Sequence, residues 1–486
     1  MRKPSPRAAL YEPAGADRRT RAANRRLIEA AQKRNDTRTT TKRELVGELG
    51  QASRADVTAG GLRRRLPLLV DAHRATTRVL RVAYPFLAEG GLGADGTFIG
   101  SDVFSAGSFV YDPWVLYQSR VITNPNLLFA GVIGSGKSST AKALITRSIA
   151  LGHKAYVPCD PKGEWTPVTE AVGGAAIQLG PGMRTRLNPL DSGNQPSSVD
   201  AQEWGRLVWS RRRALLGTLA ESTLGRSMTA VEHTTLDLAL ETVSGRGHSP
   251  TIPDVVAALF SPDEERAADL GLRRSSSTDD AREVAHAIRR LVHGDLAGMF
   301  DGPSTTEFDS SLPMVSLDSS RIGTGGDDHA LRLALACASS WMEAAVADPA
   351  GGKRFVVYDE GWRVMRDQAL LRRMQEQWKL SRAWGVSNVL IIHRLSDLAA
   401  VGDVGSEARA LAEGLLADCS TRVMLRQEPD QLARTAALLG LTDVEISTIA
   451  KLPKGRALWR LPDRSFVVQL VRHAREVELF DTDARM

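Results

Sequence analysis

The run Asn126-Leu127-Leu128-Phe129-Ala130 leads straight into Gly131-Val132-Ile133-Gly134-Ser135-Gly136-Lys137-Ser138, a glycine, four residues and then Gly-Lys-Ser. Few patterns constrain a fold more tightly. The glycines let the backbone curl so that successive N–H groups converge on a phosphate, and the following helix aims the positive end of its dipole at the same point. Strand, loop and helix are therefore specified together, and with them a nucleoside triphosphate ligand. In such a P-loop Lys137 reaches the terminal phosphates and Ser138 offers its hydroxyl to Mg²⁺, while the backbone as far as Ser139 lines the cradle.

With 486 residues, 42% hydrophobic and 25% charged, the chain has room for a large α/β core with insertions. No stretch approaches the roughly 18 consecutive apolar residues of a membrane span and the N-terminus has no h-region, so a cytoplasmic location is expected, with at most peripheral membrane contact. Three scattered cysteines, Cys159, Cys337 and Cys419, suit a reducing compartment and offer no disulfide or metal framework. Charge is unevenly spread. Residues 1–65 hold 17 Lys/Arg against 7 Asp/Glu, whereas the remainder is mildly acidic. That basic arm suits nucleic acid or anionic headgroups, and equally a solvated extension.

Residues 1–60 read as a basic, flexible extension and 61–123 as a small strand-rich lead-in. The P-loop core occupies 124–199, with a second strand at 154–159, and resumes over 303–486, with strands at 314–318, 353–358 and 389–392, a glycine-rich link at 323–326 and a helix at 330–346. Between them, 200–302 has helical spacing throughout, for example Val284, Ile288 and Leu291, and predicts an all-helical insertion with an exposed loop at 273–280. The long apolar strands predict a parallel α/β sheet sandwiched by helices.

In such a sheet ligands bind outside the carboxyl ends of the strands. Asp359 and Glu360 follow an apolar strand and stand where a Walker B pair belongs, Asp359 holding Mg²⁺ and Glu360 polarising the attacking water. His393 ends the next strand and is a sensor or water-aligning residue, or a structural histidine. Arg382 is a candidate for an arginine finger offered to a neighbouring subunit, with Arg422 as its competitor. Asp160 and Glu164 share another strand end, with either a Mg²⁺-supporting or a capping role.

Taken together, the P-loop, Asp160-Pro161-Lys162-Gly163-Glu164, Leu187-Asn188-Pro189-Leu190, the helical insertion, Asp359-Glu360-Gly361-Trp362, residues 379–382 and Leu452-Pro453-Lys454-Gly455-Arg456-Ala457 resemble the cytoplasmic ATPases of conjugative type IV secretion. These belong to the FtsK/HerA superfamily of RecA-like motors. The resemblance covers residues 124–486 and implies a RecA-like fold, ATP hydrolysis with Mg²⁺, a hexameric ring, and channel proteins or DNA as partners. His393 stands where family members commonly have glutamine, and the segment before the core is shorter than in many of them. Two other readings stay open at this point: a translocase or helicase acting directly on DNA, and a nucleotide-gated assembly scaffold.

Overall fold

The computed structural model describes residues 91–270, 274–294, 296–322, 328–348, 351–361, 367–393 and 406–480, all within one unit spanning 86–486. The basic extension, the lead-in up to residue 90, the link at 323–326 and Trp362 lie outside the described residues.

The chain forms β1 (Thr97–Asp102), β2 (Ser108–Tyr111), α1 (Pro113–Gln118), β3 (Leu127–Ala130), α2 (Lys137–Ala150), β4 (Lys154–Asp160), α3 (Thr166–Ala171) and β5 (Ala175–Gln178). Five helices follow: α4 (Ala201–Leu224), α5 (Ala230–Ser244), α6 (Ile252–Phe260), α7 (Glu264–Asp269) and α8 (Arg274–His293). Then come β6 (Met314–Asp318), α9 (Asp328–Val346), β7 (Arg354–Tyr358), α10 (Gln368–Ser381), β8 (Val386–Ile392), α11 (Glu407–Ala417) and β9 (Thr421–Met424). The last elements are α12 (Pro429–Leu439), α13 (Asp443–Ala450), β10 (Arg456–Arg460), β11 (Ser465–Leu470) and α14 (Ala474–Phe480).

Among the described residues the strands make one sheet in the order β2-β1-β11-β10-β9-β3-β8-β7-β4-β6-β5. From β9 to β5 the pairing is parallel, and the remaining strands extend it antiparallel. Strands β3, β7 and β8 are buried along their whole length, as uninterrupted apolar runs covered on both faces should be. Alternation divides their side chains between two cores. Leu127 and Phe129 meet Ala141, Leu144 and Ile145 of α2 on one face, whereas Leu128 and Ala130 join Leu331 of α9, Leu371 of α10 and Leu215 of α4 on the other. Helices therefore sandwich the sheet.

The all-helical insertion is α4 to α8, between β5 and β6. Helices α4 and α5 start at defined caps: Asp200 accepts from the Glu203 N–H, and Thr229 with Glu232 closes a capping box at α5. The loop expected at 273–280 is instead the start of α8, from Arg274 on. Serine, threonine and aspartate, read there as turn formers, are also favoured at helix starts, and the apolar spacing downstream carries the helix through. Strand β8 likewise begins at Val386, earlier than its apolar run, because Ser387 and Asn388 are buried with partners: Ser387 donates to Pro125 O at 2.7 Å and the Asn388 N–H to Asn126 Oδ1 at 2.9 Å.

Leu187-Asn188-Pro189-Leu190 stitches the insertion to the core. Asn188 is 1% exposed. Its amide donates to Pro250 O and Asp191 Oδ1, both at 3.0 Å, its Oδ1 accepts from Leu190 N–H at 3.1 Å, and its own N–H reaches Ser304 Oγ at 2.8 Å. Replacing Asn188 by Ala strands buried partners on both sides and is expected to destabilise the protein by about 2–3 kcal/mol. Urea unfolding checks this: the midpoint should fall with the slope unchanged, and an unmoved midpoint would mean the stitch contributes nothing to stability.

Candidate functional site

The parallel register brings several strand ends to one edge. Ala130 lies opposite Ile392 and Met424, Tyr358 opposite Leu390 and Cys159, and Asp160 opposite Asp318. The residues that follow β3, β4, β7 and β8 thus emerge together.

The turn after β3 is built on glycine where nothing else fits. Gly134 and Gly136 have φ of 77° and 103°, and a Cβ on Gly131 would lie 2.8 Å from Leu425 Cβ. Gly136 caps α2 without a side chain, so the N–H groups of the first helical turn, with half-buried Ser138 and Ser139, face outward from the helix end. Within the loop Ser135 Oγ donates to Val132 O at 2.7 Å, and Lys137, 4% exposed, donates from Nζ to the same oxygen at 2.9 Å. Two later segments pin it: Val132 N–H donates to Arg426 O at 2.9 Å, and Gly455 N–H to Ser135 O at 3.2 Å. Ile133, at the tip, is exposed.

Asp359 and Glu360 stand at the end of β7, separated from β3 by β8. Asp359 Oδ2 accepts from Trp165 Nε1 at 2.9 Å, and its Oδ1 from the Glu360 N–H at 3.0 Å. Glu360 is buried with φ of 55°, the left-handed region that a side chain occupies at a cost of order 1–3 kcal/mol. His393 Nε2 lies 2.7 Å from Glu360 Oε1, and Lys162 Nζ contacts the same oxygen. His393 Nδ1 is buried with no hydrogen-bond partner among the described residues.

The loop after β4 closes the site. Asp160, its last residue, accepts from the N–H groups of Trp165 at 2.7 Å, Glu164 at 3.1 Å and Lys162 at 3.3 Å. It organises this loop rather than capping a helix, α3 being capped at Trp165. Glu164 pairs at 3.1 Å with Lys142, which is fully buried and lies over the Trp165 ring.

Burial pushes the Asp160 carboxyl up to about 7, with Asp359 and Asp318 adding to the rise and the loop N–H groups opposing it. Asp359 is raised too, first by burial and then by Glu360 and Glu164, against the Trp165 hydrogen bond and Lys142. Lys137 is pulled down to about 8 by burial, against the attraction of Glu360 and Asp359. Glu360 goes the other way: burial would raise it, but hydrogen bonds from His393 and Lys162, and their charges, hold it far below the usual carboxylate range.

The structure thus brings together the P-loop, Asp359, Glu360 and His393. Arg382 is elsewhere. It is exposed at the end of α10, where Gly385 O accepts from the N–H of Arg354 at the start of β7, so the length of β8, about 20 Å, separates it from this chain's own site. Arg422 is half-buried in β9 and, beside Arg460, donates to Leu439 O at 3.2 Å, closing the end of α12. Lys162, Trp165 and Lys142 were missed. Lys162 sits inside a stretch already singled out for its carboxylates, and a cation between two acids at a strand end was the available signal.

Solved structures share this architecture. VirB4 of Thermoanaerobacter pseudethanolicus matches with a TM-score of 0.64 at 19% identity, over 80% of this chain and 100% of that one. The bacterial conjugative coupling protein TrwB matches with a TM-score of 0.51 at 15% identity, over 78% of this chain and 88% of that one. TrwB in complex with the non-hydrolysable ATP analogue ADPNP gives 0.53 at 14% identity, over 79% and 91%. The chain therefore has the fold of these proteins, a RecA-like P-loop α/β sheet between helical layers. No protein-family model and no curated protein matches the sequence.

Because Asp160 binds its proton more tightly folded than unfolded, its contribution to stability is full below about pH 4 and is lost as pH rises through about 7. Asp160→Asn removes this titration. Its stability relative to the parent should therefore improve as pH rises from about 4 to 7 and level off above. Urea unfolding across that range tests it; a pH-independent difference would show that Asp160 titrates normally.

Proposed function

We propose that the chain is an ATP-hydrolysing motor that energises conjugative DNA transfer or type IV secretion. One observation carries this reading: a glycine-cradled P-loop and a strand-end Asp-Glu pair meet at one sheet edge, on the fold shared with VirB4 and with TrwB, which has been solved with an ATP analogue.

In this reading the N–H groups from Gly131 to Ser139 and the buried Lys137 ammonium hold the phosphates. The Ser138 hydroxyl and the Asp359 carboxylate are hard oxygen donors of the kind Mg²⁺ takes, and Trp165 and the Glu360 N–H already orient that carboxylate. Bound there, Mg²⁺ would neutralise phosphate charge. Glu360 orients water and accepts its proton, and His393 acts through Glu360 as a positioning residue. The chain works as a homo-oligomer, a hexamer in the RecA-like manner, with exposed Arg382 as the arginine offered to a neighbour's site. Channel proteins, or DNA itself, are the partners. Among the described residues no helix is long and apolar enough to cross a membrane, and membrane contact in this reading is peripheral.

Steady-state ATP hydrolysis, titrated with single- and double-stranded DNA, tests the proposal. Glu360→Gln should bind ATP with near-parental affinity and lose roughly 100-fold or more in kcat; turnover at the parental rate would remove Glu360 from its role. Lys137→Ala should weaken nucleotide binding about tenfold or more, and unchanged binding in a titration would contradict the phosphate cradle. Strong stimulation by DNA would favour a translocase, and indifference to DNA a secretion motor triggered by a channel protein.

A further inference from the structure

Glu360 is bracketed from both neighbouring strands. His393 reaches its Oε1 from the end of β8, and Lys162 reaches the same oxygen from the loop after β4. The glutamate is 4% exposed and its backbone is left-handed, so neither solvent nor a relaxed main chain holds its carboxylate in place. Just behind it, a Cβ on Gly361 would lie 2.3 Å from Leu390 Cδ1, which fixes the chain tightly against β8.

The loop bearing Lys162 is built for delivery. Asp160 gathers its N–H groups, and Gly163 turns it at φ 65° with the Asp318 carboxylate 3.3 Å from where a Cβ would sit. Lys162 therefore projects one strand over, onto β7. Of the other cations near this region, Lys137 donates to Val132 O in the P-loop and Lys142 pairs with Glu164.

We propose that Lys162 is a positioning residue for Glu360, its ammonium fixing the carboxylate from the β4 side while His393 fixes it from the β8 side. The inference rests on the reading of Glu360 as the group that accepts the water's proton. A carboxylate displaced by about 1 Å loses much of its advantage, of the order of 100-fold, so loss of one bracket acts on turnover rather than on nucleotide binding. Lys162 is 49% exposed, so replacing it does not open the core.

The test uses the full chain and the variants Lys162→Met, Lys162→Arg, Glu360→Gln and Lys162→Met with Glu360→Gln. Hydrolysis gives kcat and KM, and equilibrium titration with a fluorescent ATP analogue gives affinity. Lys162→Met should lower kcat roughly tenfold or more with KM and affinity within about threefold, Lys162→Arg should restore most of it, and the double variant should turn over no more slowly than Glu360→Gln alone. Parental or raised kcat in Lys162→Met overturns the proposal. So does a tenfold loss of affinity with kcat retained, which would make Lys162 a phosphate ligand, and so does an additive loss in the double variant. Parental turnover in Glu360→Gln would instead remove the reading of Glu360, and the proposal with it, whatever the Lys162 variants do.

Discussion

Ala130 across from Ile392, Leu390 across from Tyr358 and Tyr358 across from Cys159 form the parallel register on which the site is assembled. Each of these strands is buried on both faces and divides its side chains between two cores. A slip of one residue would send Phe129 into the core built for Ala130 and the reverse, so burial holds the register. Once it is held, the P-loop, Asp160, Asp359 and His393 emerge at one level with no further design. The same geometry carries Arg382 to the opposite edge, away from this chain's own strand-end residues.

The second organising fact is the number of charges taken out of water. Lys137, Lys142, Asp160 and Glu360 are all buried, a state that is costly unless each finds a partner. Lys137 donates to Val132 O within the P-loop, and the others find partners through the loop after β4, which turns its N–H groups onto Asp160 and links Lys142 of α2 to Glu164, Asp359 to Trp165 and Glu360 to Lys162. This loop touches both halves of the site, the P-loop helix and the acidic strand end. Two carboxylates at this edge are driven in opposite directions: Asp160 is pushed toward its proton by burial among acids, and Glu360 is held ionised by its contacts with His393 and Lys162.

The P-loop is also held from the far end of the chain. Arg426 and Gly455 bond its backbone, and the β10–β11 hairpin that follows packs Trp459 against Phe109, Tyr111 and Phe129. The lead-in strand β2 and the β10–β11 hairpin thus share one aromatic cluster beside β3. Their antiparallel pairing also covers the edge of β9 that would otherwise be open.

Local rules were enough for much of this. The glycine spacing, the apolar runs of β3, β7 and β8 and the helical periodicity of the insertion each follow from backbone sterics and burial within a few consecutive residues, and so they announced the fold class, the glycine turn between β3 and α2 and the strand-end position of Asp359 and Glu360. The sequence was less legible where polar residues are buried by contacts made elsewhere, as at Ser387 and Asn388 in β8. Pairing across the fold was decided by tertiary structure alone. That Lys162 meets Glu360, Trp165 meets Asp359 and Gly455 meets Ser135 depends on strand order and register. Arg422 is committed to a helix end while Arg382 stays exposed for the same reason. These contacts join residues up to 320 positions apart, between Ser135 and Gly455, and no local pattern encodes which strand will lie beside which, because that choice is made by the burial of whole faces.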